Sequence, residues 1–305
     1  MAGSVRAMSG AAPALKVALF GTPSHFTTQV LRQLAGPGIV AALVLARRPG
    51  GVRDVMMRFA GIGRISHLER AAQERGISVI AATASNESAV LERLRSIRPD
   101  LICIATFPRR VPQEITTLAP LGAINVHPSL LPRHRGPLPL FWTYHADDQV
   151  TGVTIHHSSD KVDAGDIILQ ESFSLPRAYS VAKLDQDVAM CGARMLKSAV
   201  EALARGQAAR IAQDESAATY APLVRPGTRM VHFDTWDVER VWHFLAALSP
   251  RYREPLKDNE GRPVSYRDVV GFERSRCGTP GTVEKVDRGW KLNCRDGVVL
   301  LKKTT

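Results

Sequence analysis

The chain has 305 residues, 45% of them hydrophobic, and carries a formal net charge of +11 at pH 7. This composition excludes a largely disordered protein, and the longest apolar runs, such as Ile39–Ala46, are shorter than the ~20 residues that a membrane-spanning helix needs. We therefore expect a soluble globular protein, and the cysteine usage described next predicts that it is cytoplasmic. The positive charge favours a phosphate-bearing or otherwise anionic partner, although a generally basic proteome accounts for it equally well.

The cysteines, Cys103, Cys191, Cys277 and Cys294, are widely spaced and include no Cys-x-x-Cys pair. This spacing is typical of reduced cysteines and predicts neither a disulfide framework nor a bound metal. The length of the chain exceeds the roughly 250 residues at which a single hydrophobic core stops growing, so it predicts two domains.

In chain order, the first half alternates short apolar strands with helical patterns. Strands are predicted at Leu15–Phe20, Ile39–Ala46, Ile77–Ile80 and Leu101–Phe107, and helices at Ile65–Arg75 and Glu87–Ser96. Such alternation predicts an α/β fold with a Rossmann-like, mostly parallel sheet and helices on both faces. The turn after the first strand lacks a Gly-x-Gly-x-x-Gly loop, so no dinucleotide site is expected.

The segment from Arg47 to Arg64 is rich in arginine and glycine. We interpret it as a basic loop, and its charge allows two explanations. The loop either closes over a phosphate-rich acceptor or is an ordinary solvated part of the surface.

The stretch from Gly122 to Gly136, GAINVHPSLLPRHRG, is the central motif of the chain. Its apolar start predicts a strand, on which Asn125 and His127 project from the same face because side chains alternate with a period of two. The prolines that follow predict a sharp turn at the sheet edge where open α/β folds bind ligands. The loop Phe107–Val111 follows the preceding strand, so its backbone is a candidate for holding a flat heterocycle at the same edge.

Beyond the central motif the same alternation continues, and then short strands take over. Helices are predicted at Pro139–His145 and Val181–Ala204, with strands at Thr151–His157, Ile167–Phe173, Gly281–Val286, Trp290–Cys294 and Val298–Leu301. The closely spaced strands near the end predict a small C-terminal β-barrel of the oligonucleotide-binding (OB-like) type. The predicted division is a flexible N-terminal extension (1–14), an α/β domain (15–208), a linker (209–227) and the OB-like domain (228–305).

Three polar side chains form a predicted catalytic set: Asn125, His127 and, in the polar turn Ser158–Asp166, Asp163. An imidazole is suited to proton transfer near neutral pH, an amide N–H can stabilise a developing oxyanion, and a carboxylate can orient the imidazole. Together they predict acyl transfer without a covalent enzyme intermediate. Taken singly, each also has a structural explanation, as a turn cap, a buried core histidine or an acid that binds its own loop backbone.

Three segments carry a resemblance to a known family: INVHPSLLPRHRG at Ile124–Gly136, TGVTIH at Thr151–His156 and VDAGDII at Val162–Ile168. In this order and spacing they resemble the folate-dependent formyltransferase family. Weaker matches, including FGTP at Phe20–Pro23, extend the resemblance over nearly the whole chain after residue 14. The two-domain arrangement looks most like that of methionyl-tRNA formyltransferases, with similarity to sugar N-formyltransferases.

The resemblance implies N10-formyltetrahydrofolate as formyl donor, a primary amine as acceptor and no metal. Carried over by position, Asn125, His127 and Asp163 are the catalytic three, and residues 15–208 are the formyltransferase catalytic domain. The implied folate contacts are Phe107, Pro108, Arg109, Arg110, Val111, Ser129, Leu130, Leu131, Pro132, Asp160 and Asp166. A retained Asn125 favours transfer over hydrolysis, because the similar hydrolase domain of formyltetrahydrofolate dehydrogenase lacks that asparagine. No membrane association is expected, and the oligomeric state stays open.

The acceptor is predicted from departures within this resemblance. The basic segment 47–64 lacks the paired lysines of tRNA-dependent members, and Ser249–Tyr252 replaces a tryptophan-proline segment, whereas Pro139–Trp142 looks more like sugar-nucleotide formyltransferases. We therefore predict a small amine, such as an amino sugar nucleotide or a specialised metabolite, with initiator methionyl-tRNA as the alternative acceptor. The remaining alternatives are a formyltetrahydrofolate hydrolase and a non-catalytic nucleic-acid-binding protein.

Overall fold

The computed structural model of the chain describes residues 15–34, 39–47, 66–276, 278–287 and 289–303. The predicted N-terminal extension (1–14) and residues 48–64 of the predicted basic loop lie outside this part of the chain, as does Cys277. The described cysteines, Cys103, Cys191 and Cys294, form no disulfide bond with one another.

The first two thirds of the chain fold as alternating strands and helices. They are β1 (Val17–Gly21), α1 (His25–Leu34), β2 (Val40–Ala46), α2 (His67–Gln73), β3 (Ser78–Ala82), α3 (Glu87–Ile97), β4 (Leu101–Ala105), α4 (Gln113–Thr116), β5 (Ala123–His127), α5 (Pro139–His145), β6 (Val150–His157), β7 (Ile167–Ser174) and α6 (Val181–Ala204). The predicted strands and helices are thus found within a few residues of their expected ends.

Seven strands form one sheet in the order β3-β2-β1-β4-β5-β6-β7. Strands β1 to β5 pair in parallel, and β6 runs antiparallel to β5. This mostly parallel sheet confirms the predicted α/β, Rossmann-like class. Because the chain moves outward from β1 to β3 and then crosses back to β4, the carboxyl ends of β1, β4 and β5 adjoin at the switch point where such sheets bind ligands.

The apolar strands bury one face of the sheet under α3 and α4. The buried cluster there consists of Ala18, Phe20, Ala42, Val44, Ala82, Val90, Leu94, Ile102, Val111, Ile115, Ala119 and Ala123. At the end of β1, a Cβ on Gly21 would lie 2.5 Å from Thr27 Oγ1, so only glycine lets the chain turn this closely into α1.

The C-terminal part begins with α7 (Val238–Leu248), which Asp237 caps by accepting a hydrogen bond of 2.9 Å from the backbone N–H of Arg240. Four strands follow: β8 (Tyr266–Glu273), β9 (Val283–Val286), β10 (Gly289–Cys294) and β11 (Gly297–Lys303). They form a separate antiparallel sheet in the order β8-β11-β10-β9. The predicted small β-structure at the C-terminus is confirmed, and β8 is a strand that the sequence pattern did not reveal.

The described residues group into two compact units. One contains residues up to His127 together with Thr154–Leu169 and Ala189–Gln213, and the other contains Pro128–Val153, Gln170–Val188 and the residues from Asp214 onward. The predicted domain boundaries stay a prediction. Within the described part of the chain, no helix is both long and apolar enough to cross a membrane.

A buried histidine on α7 makes the second unit sensitive to pH. His243 is 1% exposed, and its Nδ1 accepts a hydrogen bond of 2.7 Å from the backbone N–H of Ala178. Burial, and then the charge of Arg177, lower the pKa of His243 from 6.5 to about 4. The folded state therefore keeps a neutral imidazole, whereas the unfolded chain takes up a proton below pH ~6.5.

Because the folded-state pKa of His243 is the lower one, the stability that this group contributes is fully present above pH ~6.5 and is lost as the pH falls toward about 4. We expect the free energy of unfolding, measured by urea denaturation, to fall over this range by on the order of 3 kcal/mol more in the wild type than in His243→Asn, which takes up no proton. The exposed His25 offers the control, since His25→Asn should keep the wild-type slope. The same slope in His243→Asn and the wild type would contradict this assignment.

Candidate active site

Strand β5 presents the two polar residues of the central motif at its carboxyl end. Asn125 is half-buried and His127 is 4% exposed. Asn125 Nδ2 lies 3.3 Å from Asp163 Oδ1, and His127 Nδ1 lies 3.5 Å from Asp163 Oδ2. The two side chains thus reach the two oxygens of one carboxylate. The structure brings the predicted catalytic set together, and the catalytic roles themselves stay a prediction.

Asp163 lies in the polar turn between β6 and β7 and adopts a left-handed backbone conformation, with φ of +50°. Two residues further on, a Cβ on Gly165 would lie 1.8 Å from the carbonyl oxygen of His157, so only glycine allows this close approach to β6. The backbone N–H of His157 also donates to the carbonyl oxygen of Asp166 at 2.9 Å. The sequence VDAGD therefore folds the turn back against the end of β6, with the Asp163 carboxylate beside β5.

A fourth polar residue, His156 on β6, completes the cluster. The antiparallel register of β5 and β6 places His156 opposite Asn125. Its Nδ1 lies 2.9 Å from the carbonyl oxygen of His157, which can only accept, so Nδ1 carries the proton of the neutral ring. Nε2 is then the acceptor for the Nδ2–H of Asn125, 3.1 Å away.

Burial keeps the His156 ring neutral. Desolvation, and then the charge of His127, lower the pKa of His156 to about 4, although the Asp163 carboxylate acts in the opposite direction. The sequence interpretation missed His156 because strand register is a long-range property. The sequence feature that could have revealed His156 is its position in TGVTIH, at the end of a strand that neighbours the central motif.

The amide of Asn125 has a defined orientation in this cluster. The carboxylate of Asp163 and the unprotonated nitrogen of His156 are both acceptors, so the two hydrogens of the Asn125 NH₂ group are directed to them. An oriented NH₂ group beside a carboxylate-linked imidazole is suited to stabilising an oxyanion and moving a proton on one reacting group.

The predicted folate loop, Phe107–Val111, follows β4. The ring of Phe107 packs edge-on against Phe20 with 5.3 Å between centroids, and the Arg109 guanidinium lies 5.6 Å from the Phe107 centroid. Val111, the last residue of the loop, is buried in the core. In the described part of the chain, the backbone N–H and C=O groups of this loop form no backbone hydrogen bond. The edge of the loop backbone therefore fits the predicted contact with a flat heterocycle.

The other predicted folate residues have structural partners of their own. The Ser129 hydroxyl donates to the Arg133 carbonyl at 2.7 Å, and the Leu131 carbonyl accepts from Gln170 Nε2 at 2.9 Å. Leu130 and Pro132 complete that turn. Each acid faces an arginine, with 3.5 Å between Asp160 and Arg110 and 3.2 Å between Asp166 and Arg210. The folate roles of all these residues stay predictions. No group of three or more His, Cys, Asp or Glu side chains that could hold a metal occurs among the described residues.

The family model for formyl transferases matches residues 15–200, a range that includes every member of the polar cluster. The chain belongs to the formyl transferase family. The predicted enzyme class, a formyltransferase, is thereby confirmed.

Curated relatives match most of the length of this formyltransferase. It is 35% identical to the methionyl-tRNA formyltransferase of Syntrophus aciditrophicus over 76% of this chain and 74% of that protein. It is 32% identical to the methionyl-tRNA formyltransferase of Halalkalibacterium halodurans over 95% of this chain and 89% of that protein.

Solved structures share the fold at lower sequence identity. An N-formyltransferase from Helicobacter canadensis, in complex with folinic acid and dTDP-3-aminofucose, matches with a TM-score of 0.68 at 16% identity, over 95% of this chain and 100% of that one. HypX from Aquifex aeolicus, in complex with tetrahydrofolic acid, matches with a TM-score of 0.62 at 19% identity over 94% of this chain. The match covers 43% of the HypX chain, so this formyltransferase spans less than half the length of HypX.

We predict that His156 acts by holding the amide of Asn125. His156→Leu removes the acceptor and should lower kcat for formyl transfer about tenfold, the usual cost of one buried hydrogen bond. His156→Gln keeps a side-chain acceptor and should stay within about threefold of the wild type. The measurement is the initial rate of tetrahydrofolate release with a saturating amine, and thermal unfolding of both variants is the control. Unchanged kcat in His156→Leu would remove this residue from the site.

Proposed function

We propose that this formyltransferase moves the formyl group of N10-formyltetrahydrofolate to the amino group of methionyl-tRNA, without a covalent enzyme intermediate. The observation that carries the chemistry is the convergence of Asn125 and His127 on the two oxygens of Asp163. The tRNA acceptor is supported by curated relatives that match nearly the whole chain. These relatives support methionyl-tRNA as acceptor better than the small molecule predicted from the sequence.

The amide of Asn125 donates a hydrogen bond to the formyl oxygen in the transition state. As the amine attacks the formyl carbon, that oxygen gains negative charge and becomes a stronger acceptor than the groups that hold Asn125 beforehand. The existing bonds of Asn125 Nδ2, at 3.1 Å to His156 and 3.3 Å to Asp163, are longer than the ~2.9 Å typical of N–H···O bonds. One hydrogen of Nδ2 can therefore turn to the charged oxygen without breaking a tight contact.

The imidazole of His127 moves the proton. Its Nδ1 faces Asp163, so the ring carries a proton there and Nε2 accepts the proton that the attacking amine loses. The carboxylate stabilises the imidazolium while this proton is held. His127 then returns the proton to N10 as the bond between N10 and the formyl carbon breaks. The new amide bond replaces the old one, and no net proton is consumed.

The net charge of +11 suits a tRNA acceptor. A polyanion gains affinity by releasing counterions from its phosphates, and this gain falls steeply with added salt. A small amine with one or two phosphates releases far fewer counterions. Salt dependence therefore separates the two acceptor classes.

A small amine is the second candidate acceptor. Two sequence features favour a small amine: the segment Pro139–Trp142 and the absence of paired lysines in residues 47–64. The cluster of Asn125, His127 and Asp163 serves any primary amine, since all three act on the formyl group and the transferred proton. The acceptor must therefore be tested directly.

The experiment compares initiator methionyl-tRNA with a panel of nucleotide-linked amino sugars and other primary amines at a fixed concentration of N10-formyltetrahydrofolate. We expect methionyl-tRNA to give the highest kcat/KM, because it matches both the relatives and the charge. We also expect kcat/KM for tRNA to fall at least about tenfold between 50 and 200 mM salt. A higher kcat/KM for a small amine, with little salt dependence, would instead make that amine the substrate.

Two variants serve as chemical controls in the same assay. Asn125→Ala and His127→Ala should each lower kcat at least about 100-fold with either class of acceptor, because they remove the oxyanion donor and the proton carrier. Near-normal turnover in Asn125→Ala or His127→Ala would exclude that residue from the mechanism.

A further inference from the structure

The side chain of Gln213 is joined to the turn that carries Asp163. Its Nε2 donates to the backbone carbonyl oxygen of Asp163 at 2.9 Å and to that of Gly165 at 2.7 Å. Carbonyl oxygens only accept hydrogen bonds, so the NH₂ group of the Gln213 amide faces the turn. One side chain therefore holds the backbone on both sides of Ala164.

The turn has an unusual backbone, which a side-chain link can hold in place. Asp163 adopts φ of +50°, in the left-handed region that few non-glycine residues occupy, Asn and Asp most often among them. Gly165 packs against the carbonyl oxygen of His157 with no room for a Cβ. The Gln213 amide bonds to the carbonyl oxygens of these same two residues.

The backbone just before Gln213 is held by hydrogen bonds to the start of β7. Ile211, two residues earlier, exchanges two backbone hydrogen bonds with Ile167 at the start of β7, at 2.8 and 3.0 Å. The turn and the segment that carries Gln213 are therefore tied to each other at two places. This link spans 50 residues of sequence between Asp163 and Gln213.

The contacts of the Asp163 carboxylate are long enough to be lost by a small movement. They measure 3.3 Å to Asn125 Nδ2 and 3.5 Å to His127 Nδ1. Catalytic groups have to be held within about 0.5 Å of their working geometry, so a turn that relaxes by that amount separates the carboxylate from both partners.

We propose that Gln213 is a positioning residue, which sets the Asp163 carboxylate against Asn125 and His127. This inference rests on the proposed function, in which Asp163 supports the imidazole during formyl transfer. The Gln213 amide donates to the backbone carbonyl oxygens of the turn, so it acts through Asp163. The loss of its hydrogen bonds should therefore reduce turnover and leave donor binding intact.

The test uses the full chain with two substitutions that remove the amide hydrogens. Gln213→Leu removes both donors, and Gln213→Glu keeps the shape but directs an acceptor at two carbonyl oxygens. We expect kcat to fall at least about tenfold in both, with KM for N10-formyltetrahydrofolate within about twofold. The matched control is Gln207→Leu, at an exposed glutamine in the same segment, which should behave as the wild type.

A readout that does not depend on turnover accompanies the kinetics. We expect the imidazole ¹⁵N resonances of His127 and His156 to move in Gln213→Leu and to stay in place in Gln207→Leu, with melting temperatures within a few degrees of the wild type. Should Gln213→Leu fail to fold, Gln213→Asn, which keeps the amide hydrogens on a shorter side chain, is measured in the same way and should show the same changes to a smaller extent.

Three results would overturn the inference: unchanged kcat in both Gln213 variants, unchanged imidazole resonances, or a rise in KM for the donor with kcat preserved. Failure of the proposed function has a different signature. A wild-type enzyme that formylates no amine contradicts the proposed function, whereas the imidazole resonances still report whether Gln213 positions the turn.

Discussion

The carboxylate of Asp163 is the contact on which the rest of the site depends. One oxygen approaches the amide of Asn125 and the other approaches the imidazole of His127, so a single group contacts both side chains at the end of β5. Strand β5 supplies the two partners on one face at its end. The turn after β6 supplies the carboxylate, at the cost of a left-handed residue and of a glycine that no other residue can replace.

Two buried imidazoles lie beside this one carboxylate, with His127 Nδ1 3.5 Å and His156 Nε2 3.7 Å from its oxygens. Burial, and then the charge of His127, lower the pKa of His156 to about 4. The neutral His156 then works as an acceptor that holds Asn125. Burial and the neighbouring charge thus make His156 chemically different from His127.

The sheet and the placement of Asn125 and His127 were predictable because they follow from local patterns. Apolar runs located β1 to β7, and the period of two placed Asn125 and His127 on one face. His156 and Gln213 were not predictable, since their contacts depend on strand register and on a partner 50 residues away in the chain. Strand β8 was missed because Arg267, Asp268 and Gly271 interrupt its alternation.

In the proposed mechanism the formyl group passes directly from the folate to the amine. The most direct measurement is a single turnover with donor labelled by ¹³C in the formyl group, quenched at successive times and analysed for label on amine, on protein and in formate. Direct transfer predicts that label leaves the donor and appears on the amine at the same rate, with none on the protein. Label on the protein before the amine, or label mainly in formate, would contradict it.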